Sequence, residues 1–335
     1  MLPLLLFFSL AGPCITAETQ CTERVAVGPQ GRWSLVYRTH PLTARNELIH
    51  RALVMVHGQG RNADDYFRTA LAAAFLAGGL EDTLVVSPRF ASNDGRSCRD
   101  TLAEGEINYR CTQGSWRDGD VAIEPPAVNS FDTADEILRR LARKDVFPNL
   151  KLIVVAGHSA GGQFAHRYAA ASKVTDTLGV PIRFVVANPS SYLYLGPERL
   201  PPSATCSEKG GCSAEFGTFE EGRNCTTYNR WLYGLEERRG YSAGLSDEQL
   251  RKQLVKRDVV YLLGENDTIP QAGFDSSCPA MAQGASRLAR GVTYWNYVRS
   301  RYHAEHKLVT VPLCGHNARC MFTADPALNV VFQKP

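Results

Sequence analysis

"LIVVAGHSAGGQFAHRYAA", residues 152–170, passes from an unbroken apolar run through a glycine-flanked serine into residues at helical spacing. Gly157-His158-Ser159-Ala160-Gly161 is the pattern G-x-S-x-G, and its place between an apolar strand and a helix is the context in which that short pattern carries weight. On such a corner the serine is strained outward at the top of a sheet, while small flanking residues let strand and helix close around it. Ala160, at the helix start, offers a backbone N–H where an oxyanion would form. By itself the pattern also recurs by chance as a structural turn.

A serine hydroxyl needs a base to take its proton, and the base needs a group to orient it. Both occur downstream at predicted strand ends. "DVVYLLG" (258–264) runs into Glu265-Asn266-Asp267-Thr268, and "KLVTVPL" (307–313) runs into Cys314-Gly315-His316. The order Ser159, Asp267, His316 is the chain order of a nucleophile-elbow hydrolase. Glu265 competes with Asp267 for the acid, although the G-x-x-D loop leaves the aspartate room to turn back to the histidine. His303 and His306 have no strand end beneath them and are expected to be solvated; His158 and His166 are expected to pack or lie at the surface. Upstream, Val56-His57-Gly58-Gln59-Gly60 follows the apolar strand "ALVMVH" (52–57). This H-G-x-G loop, with His57, Gly58 and Gly60 as its supports, points to the Gln59 N–H as the second oxyanion donor. A phosphate-binding loop is the rival, but no Lys-Ser/Thr follows.

The rest of the chain fits around that corner. Its 335 residues are 44% hydrophobic and 21% charged, enough for one sizeable α/β core, and the net charge of +3 comes without the basic runs that would track nucleic acid. Further strands are predicted at 33–38, 82–87, 150–157 and 182–188, and helices at 64–77, 131–144 with Ser130 as N-cap, 161–173 and 279–304. The alternation implies a mostly parallel central sheet with helices on both faces. Two irregular segments, 92–128 and 189–250, break the rhythm. The second is read as a disulfide-containing cap insertion, its Tyr192, Tyr194, Phe216, Phe219, Tyr228, Trp231 and Tyr233 facing substrate. The alternative is a satellite core that packs only on itself.

Residues 1–17 read as a signal peptide, with an apolar run Leu2–Leu10 and a cut after Ala17, followed by a single domain over 18–335. The run is too short for a membrane anchor, which needs roughly 20 apolar residues. Secretion agrees with cysteine use, since Cys98, Cys111, Cys206, Cys212, Cys225, Cys278, Cys314 and Cys320 have no zinc spacing and are disulfide candidates. Cys98 with Cys111, two of Cys206, Cys212 and Cys225, and Cys278 with Cys314 or Cys320 are the expected pairs. Counting Cys21 but not the leader's Cys14 makes nine, so one thiol is left over. Of two glycosylation sequons, Asn224 is the expected acceptor and Asn266, beside the proposed acid, the expected bare one.

On the elbow, the Ser-Asp-His order and the H-G-x-G loop, the chain from about 33 to 333 resembles the α/β-hydrolase superfamily, and within it secreted serine carboxylesterases of the polyester or feruloyl esterase kind. The resemblance implies cleavage of small or polymeric carboxylic esters through an acyl-enzyme, with no metal or organic cofactor. A serine peptidase and a non-catalytic binding protein are the alternatives. Residues 187–195, "ANPSSYLYL", and 280–291, "AMAQGASRLARG", look like marks of a narrower group.

Overall fold

The computed structural model describes residues 12–332 except 29–30, 113–114, 126 and 272. The apolar run Leu2–Leu10, read as part of a signal peptide, lies outside them. Eight strands form one sheet: β1 (Thr22–Ala26), β2 (Trp33–Arg38), β3 (Arg51–Val56), β4 (Thr83–Pro88), β5 (Leu152–His158), β6 (Ile182–Ala187), β7 (Asp258–Gly264) and β8 (Lys307–Val311), in the order β1-β2-β4-β3-β5-β6-β7-β8. From β4 to β8 neighbours are parallel, and β2 runs antiparallel to both β1 and β4. The seven predicted strands are present within a few residues. The edge strand β1 has no counterpart in the sequence reading, because its Thr-Glu-Arg-Val-Ala has one fully buried side chain, Val25, and no apolar run.

The strand interior is apolar on both faces because each face has its own helical cover. Val54, Val56, Ile153, Val155, Phe184 and Val186 point to a core shared with α2 (Ser130–Leu141), α3 (Ala160–Ala171) and α6 (Arg287–Tyr302). Their neighbours Leu53, Met55, Val154, Ala156 and Val185 point to a second core under α1 (Ala63–Leu76), α7 (Ala318–Thr323) and α8 (Asp325–Phe332).

Several local expectations need correction. Asn129, not Ser130, caps α2: its side chain accepts from the N–H groups of Phe131 and Asp132, and Asp132 accepts from Asn129 in return. That reciprocal arrangement satisfies two orphan donors at once, and Ser130 donates to the Trp116 carbonyl instead. The helix expected over 279–304 is broken into α5 (Cys278–Met281) and α6, with α4 (Asp247–Lys256) preceding β7. Gly284 at φ 140° turns the chain between them, and Ser286 recaps α6 by accepting from Ala289 N–H.

Five of the seven aromatics singled out in the 189–250 insertion are buried rather than turned to substrate, and Tyr228 and Tyr233 are half-buried. Tyr192, Tyr194, Phe216 and Trp231 belong to the main core. Tyr192 stacks on Tyr294 of α6 at 4.8 Å, Tyr194 tilts against Tyr297 at 4.6 Å, and Arg199 lies 3.8 Å over the Tyr194 ring. A satellite core does not describe the insertion, because α6 supplies half of the cluster.

Five disulfides are formed, and no described cysteine is free. Cys98–Cys111 and Cys206–Cys212 pair as expected. Cys278 does not reach the histidine loop; it pairs with Cys225, while Cys314 and Cys320 close on each other around His316. No thiol is left over, because Cys14 bonds Cys21 and its N–H donates to the Thr39 carbonyl.

Candidate active site

Ser159 follows β5 with φ 60° and ψ −118°, a backbone conformation that L residues rarely hold, and the surroundings fix it there. Its N–H donates to the Ala187 carbonyl at the end of β6. The flanking glycines are required sterically. A Cβ on Gly157 would strike the Gly161 backbone, one on Gly161 the carbonyls of Val56 and His57, and one on Gly162 the Ala187 oxygen at 2.5 Å. The corner therefore locks β3, β5, β6 and α3 together at one point, with the Ser159 hydroxyl lifted above the sheet.

The two downstream candidates meet it. Ser159 Oγ lies 3.0 Å from His316 Nε2, and His316 Nδ1 lies 2.7 Å from Asp267 Oδ2. Because Asp267 accepts at Nδ1–H, Nε2 is the nitrogen free to accept from the serine hydroxyl. Asp267 is fully buried. Glu265 is not in the line; its carboxylate accepts from Leu313 N–H on the exposed side of the loop. Asn188, absent from the sequence reading, ties the two loops together by accepting from Gly264 N–H (2.8 Å) and donating to the Gly315 carbonyl (3.2 Å). Cys314–Cys320 encloses His316 in a closed loop, and Asn317 caps the short α7 behind it.

A cleft of about 390 Å³ opens over Ser159 and His316 and is lined by Gly58, Gln59, Gly60, Tyr66, Asn317 and Arg319 among others. Ala160 is the first residue of α3, so its N–H has no intrahelical acceptor. The Gln59 loop is braced from outside. Arg61, at φ 55°, forks onto Asp100 at 2.6 and 3.1 Å, which anchors the loop to the Cys98–Cys111 insertion. Beneath the loop, His57 is fully buried, accepts from Phe90 N–H at Nε2 and donates from Nδ1 to the Gly58 carbonyl.

His158 and His166 are buried packing residues. The His158 ring lies 4.4 Å from that of His316, with the Tyr66 hydroxyl 3.4 Å from its Nδ1. Burial holds the His158 imidazole well below its usual range, so it adds no positive charge beside His316. His303 is exposed at the end of α6, but His306 is not solvated as expected: it is buried between the Tyr261 hydroxyl and the Leu254 carbonyl. Both sequon asparagines, Asn224 and Asn266, are exposed, and Asn266 spends one amide hydrogen on the Leu313 carbonyl. No helix among the described residues is long and apolar enough to cross a membrane, and no cluster of metal-binding side chains occurs among them.

The buried imidazoles make the fold sensitive to acid. Burial pushes His57 down to about 4, against a weaker opposing pull from its Gly58 carbonyl partner, and does the same to His306 against its Leu254 partner. The unfolded chain binds these protons near pH 6.5 and the folded chain only near 4. Their contribution is whole above about pH 6.5 and is lost as pH falls, at up to about 1.4 kcal/mol per pH unit for each. Asp118, Asp132 and Asp135, raised mainly by burial, act in the opposite sense, so the assignment is read from the difference between wild type and His306→Gln between pH 6.5 and 4. Urea midpoints should fall across that window, and less steeply in His306→Gln. Equal slopes for the two proteins would contradict the assignment.

No curated protein matches the chain. Among solved structures, poly(aspartic acid) hydrolase-1 from Sphingomonas sp. KT-1 superposes with a TM-score of 0.63 at 21% identity, covering 93% of this chain and 98% of its own. The LpqC poly(3-hydroxybutyrate) depolymerase from Bordetella parapertussis gives 0.60 at 19% identity, covering 91% and 86%. At these identities the likeness is one of fold. The sequence model of the alpha/beta hydrolase family matches residues 53–331, which span the elbow and both downstream loops. The chain belongs to the α/β-hydrolase family.

Proposed function

We propose that this protein hydrolyses carboxylic esters outside the cell through an acyl-enzyme formed on Ser159. His316 takes the serine proton as Oγ attacks the carbonyl carbon, and the backbone N–H groups of Ala160 and Gln59 receive the oxyanion. As the tetrahedral intermediate collapses, the ester C–O bond breaks and His316 returns the proton to the departing alkoxide. Water then enters by the same route and releases the acid, while Asp267 holds the imidazole ring throughout. The observation that carries this reading is the unbroken line of hydrogen-bond distances from Asp267 through His316 to Ser159 at the strained elbow.

The cleft is polar and open at the surface, with Tyr66 the one aromatic side chain in its described lining besides the His158 and His316 imidazoles, so the substrate class proposed is a short or hydrophilic ester, free or within a polymer. Two structures of similar fold belong to enzymes named for polymer substrates, poly(aspartic acid) and poly(3-hydroxybutyrate), which supports the polymeric option. A second reading, amide hydrolysis, draws on the first of them, since the units of poly(aspartic acid) are joined by amide bonds. The five disulfides support export, and a leader cut that retains the Cys14–Cys21 pair falls before Cys14. The test is purified protein offered matched esters and peptides of equal chain length. Ester turnover with inert peptides is the expected result; the reverse would establish the second reading.

A further inference from the structure

Beyond the Ala187 carbonyl and Asn188 already described, the stretches 187–195 and 280–291 lock together beside Asp267. Arg287, the first residue of α6, donates from Nε to Ser190 Oγ at 2.9 Å and places Nη1 3.5 Å from Asp267 Oδ1. Its side chain is 1% exposed and that of Asp267 0%. One residue on, Leu288 N–H donates to the Asp267 carbonyl at 3.2 Å. Arg290, also buried, donates to the Ser190 carbonyl and from Nε to that of Gly284, and the Phe274 ring covers both guanidinium groups. Gln283 completes the interlock by accepting from Tyr192 N–H and donating to the Tyr192 carbonyl.

Burying a guanidinium is costly, and this one is incompletely repaid, since Nη2 of Arg287 has no hydrogen-bond partner. What the cost secures is a division of the acid: Oδ2 serves His316, and Oδ1 faces a fixed positive charge. We propose that Arg287 is a positioning residue that fixes Asp267 and sets the pH at which His316 becomes an available base.

The direction follows from the charges. An imidazolium at His316 is favoured by the negative charge of Asp267, and Arg287 offsets part of that charge. Without Arg287, either His316 keeps its proton to higher pH, or the buried carboxyl itself takes one and releases the imidazole. Both move the acid limb of activity upward. The other groups facing this pair are His158 at the end of β5, Tyr192 after β6, Arg319 at the cleft rim, and Arg290, whose charge is opposed by Asp275. Burial keeps His158 neutral and Tyr192 protonated, so neither titrates in the range concerned.

The inference rests on the ester-hydrolase reading for its kinetic readout, so the experiment adds one that does not. kcat/KM against pH for a short ester, and the NMR titration of the His316 ring, are measured in the wild type, Arg287→Gln, Arg287→Lys and Arg257→Gln. Arg257 is a second buried arginine, paired away from the site with the half-exposed Asp176, and controls for loss of a buried guanidinium. Arg287→Gln should move the acid limb up by about one pH unit, so that turnover falls about tenfold at pH 6 and less at pH 9. Arg287→Lys should restore the limb, and Arg257→Gln should leave it in place. Should Arg287→Gln not fold, Ser190→Ala carries the test, since it frees the guanidinium from its Nε acceptor and should move the limb the same way. A pH-independent loss with the His316 titration unmoved overturns the proposal. Absent ester turnover with a moved titration overturns the ester reading and leaves the role of Arg287 standing.

Discussion

Replacing Ser159 with alanine should lower ester turnover by at least about 10³-fold and abolish covalent labelling by a fluorophosphonate, with the fold intact. The size follows from how the three groups depend on each other. His316 can take a proton only from the hydroxyl 3.0 Å from its Nε2, and Asp267 contributes only through the ring it holds at 2.7 Å. Removing the nucleophile silences all three at once, which is why losses within such a unit do not add. What remains is whatever the cleft's backbone donors do for a water-driven reaction. The oxygen removed is half-buried and makes its hydrogen bond to His316, while alanine keeps the Cβ that makes φ 60° costly, so thermal stability should be little changed. Labelling that persists at a different serine would move the chemistry away from the elbow altogether.

The candidate site was legible in the sequence where local pattern and geometry coincide. A serine between a strand and a helix, flanked by residues too small to clash, announces its corner within five positions, and Asp267 and His316 each follow an apolar strand that a reader can see. Preference for Asp267 over Glu265 also came from loop length, and Glu265 is spent on the Leu313 N–H. What stayed hidden depends on partners far apart in the chain. Arg287 meets Ser190 across 97 positions and Asn188 meets Gly315 across 127, and no periodicity reports such pairs. The aromatic segment misled for a related reason. Composition shows that Tyr192, Tyr194 and Phe216 are large and aromatic, but whether they face substrate or the core depends on α6, whose Tyr294 and Tyr297 pack against them. Disulfide pairing failed at Cys278 on the same ground, since proximity of loops around the acid could not say that Cys225 comes closer.

The second large effect is expected from a residue that touches no substrate. In Gly161→Ala, the new Cβ would lie against the Val56 carbonyl and 2.6 Å from that of His57, distances that real Cβ atoms do not adopt. Both obstacles are backbone, so neither can swing aside as a side chain would. Relief requires α3 to move away from the end of β3, and that junction carries the Ser159 elbow on one side and the Gln59 loop on the other. A misplacement of about 1 Å between nucleophile and oxyanion donors costs on the order of 10²-fold in rate. The same shift opens packing around Phe164 and His57, so a stability loss of about 1–3 kcal/mol should accompany it. Gly244→Ala is the matched control, because no atom lies within 4 Å of its added Cβ and its φ is not positive. The decisive comparison is fluorophosphonate labelling rate and melting temperature for the two variants. Gly161→Ala should lose both, and Gly244→Ala neither. Wild-type labelling in Gly161→Ala would mean that the corner can open without disturbing Ser159, and the requirement for glycine there would have to be explained by folding alone.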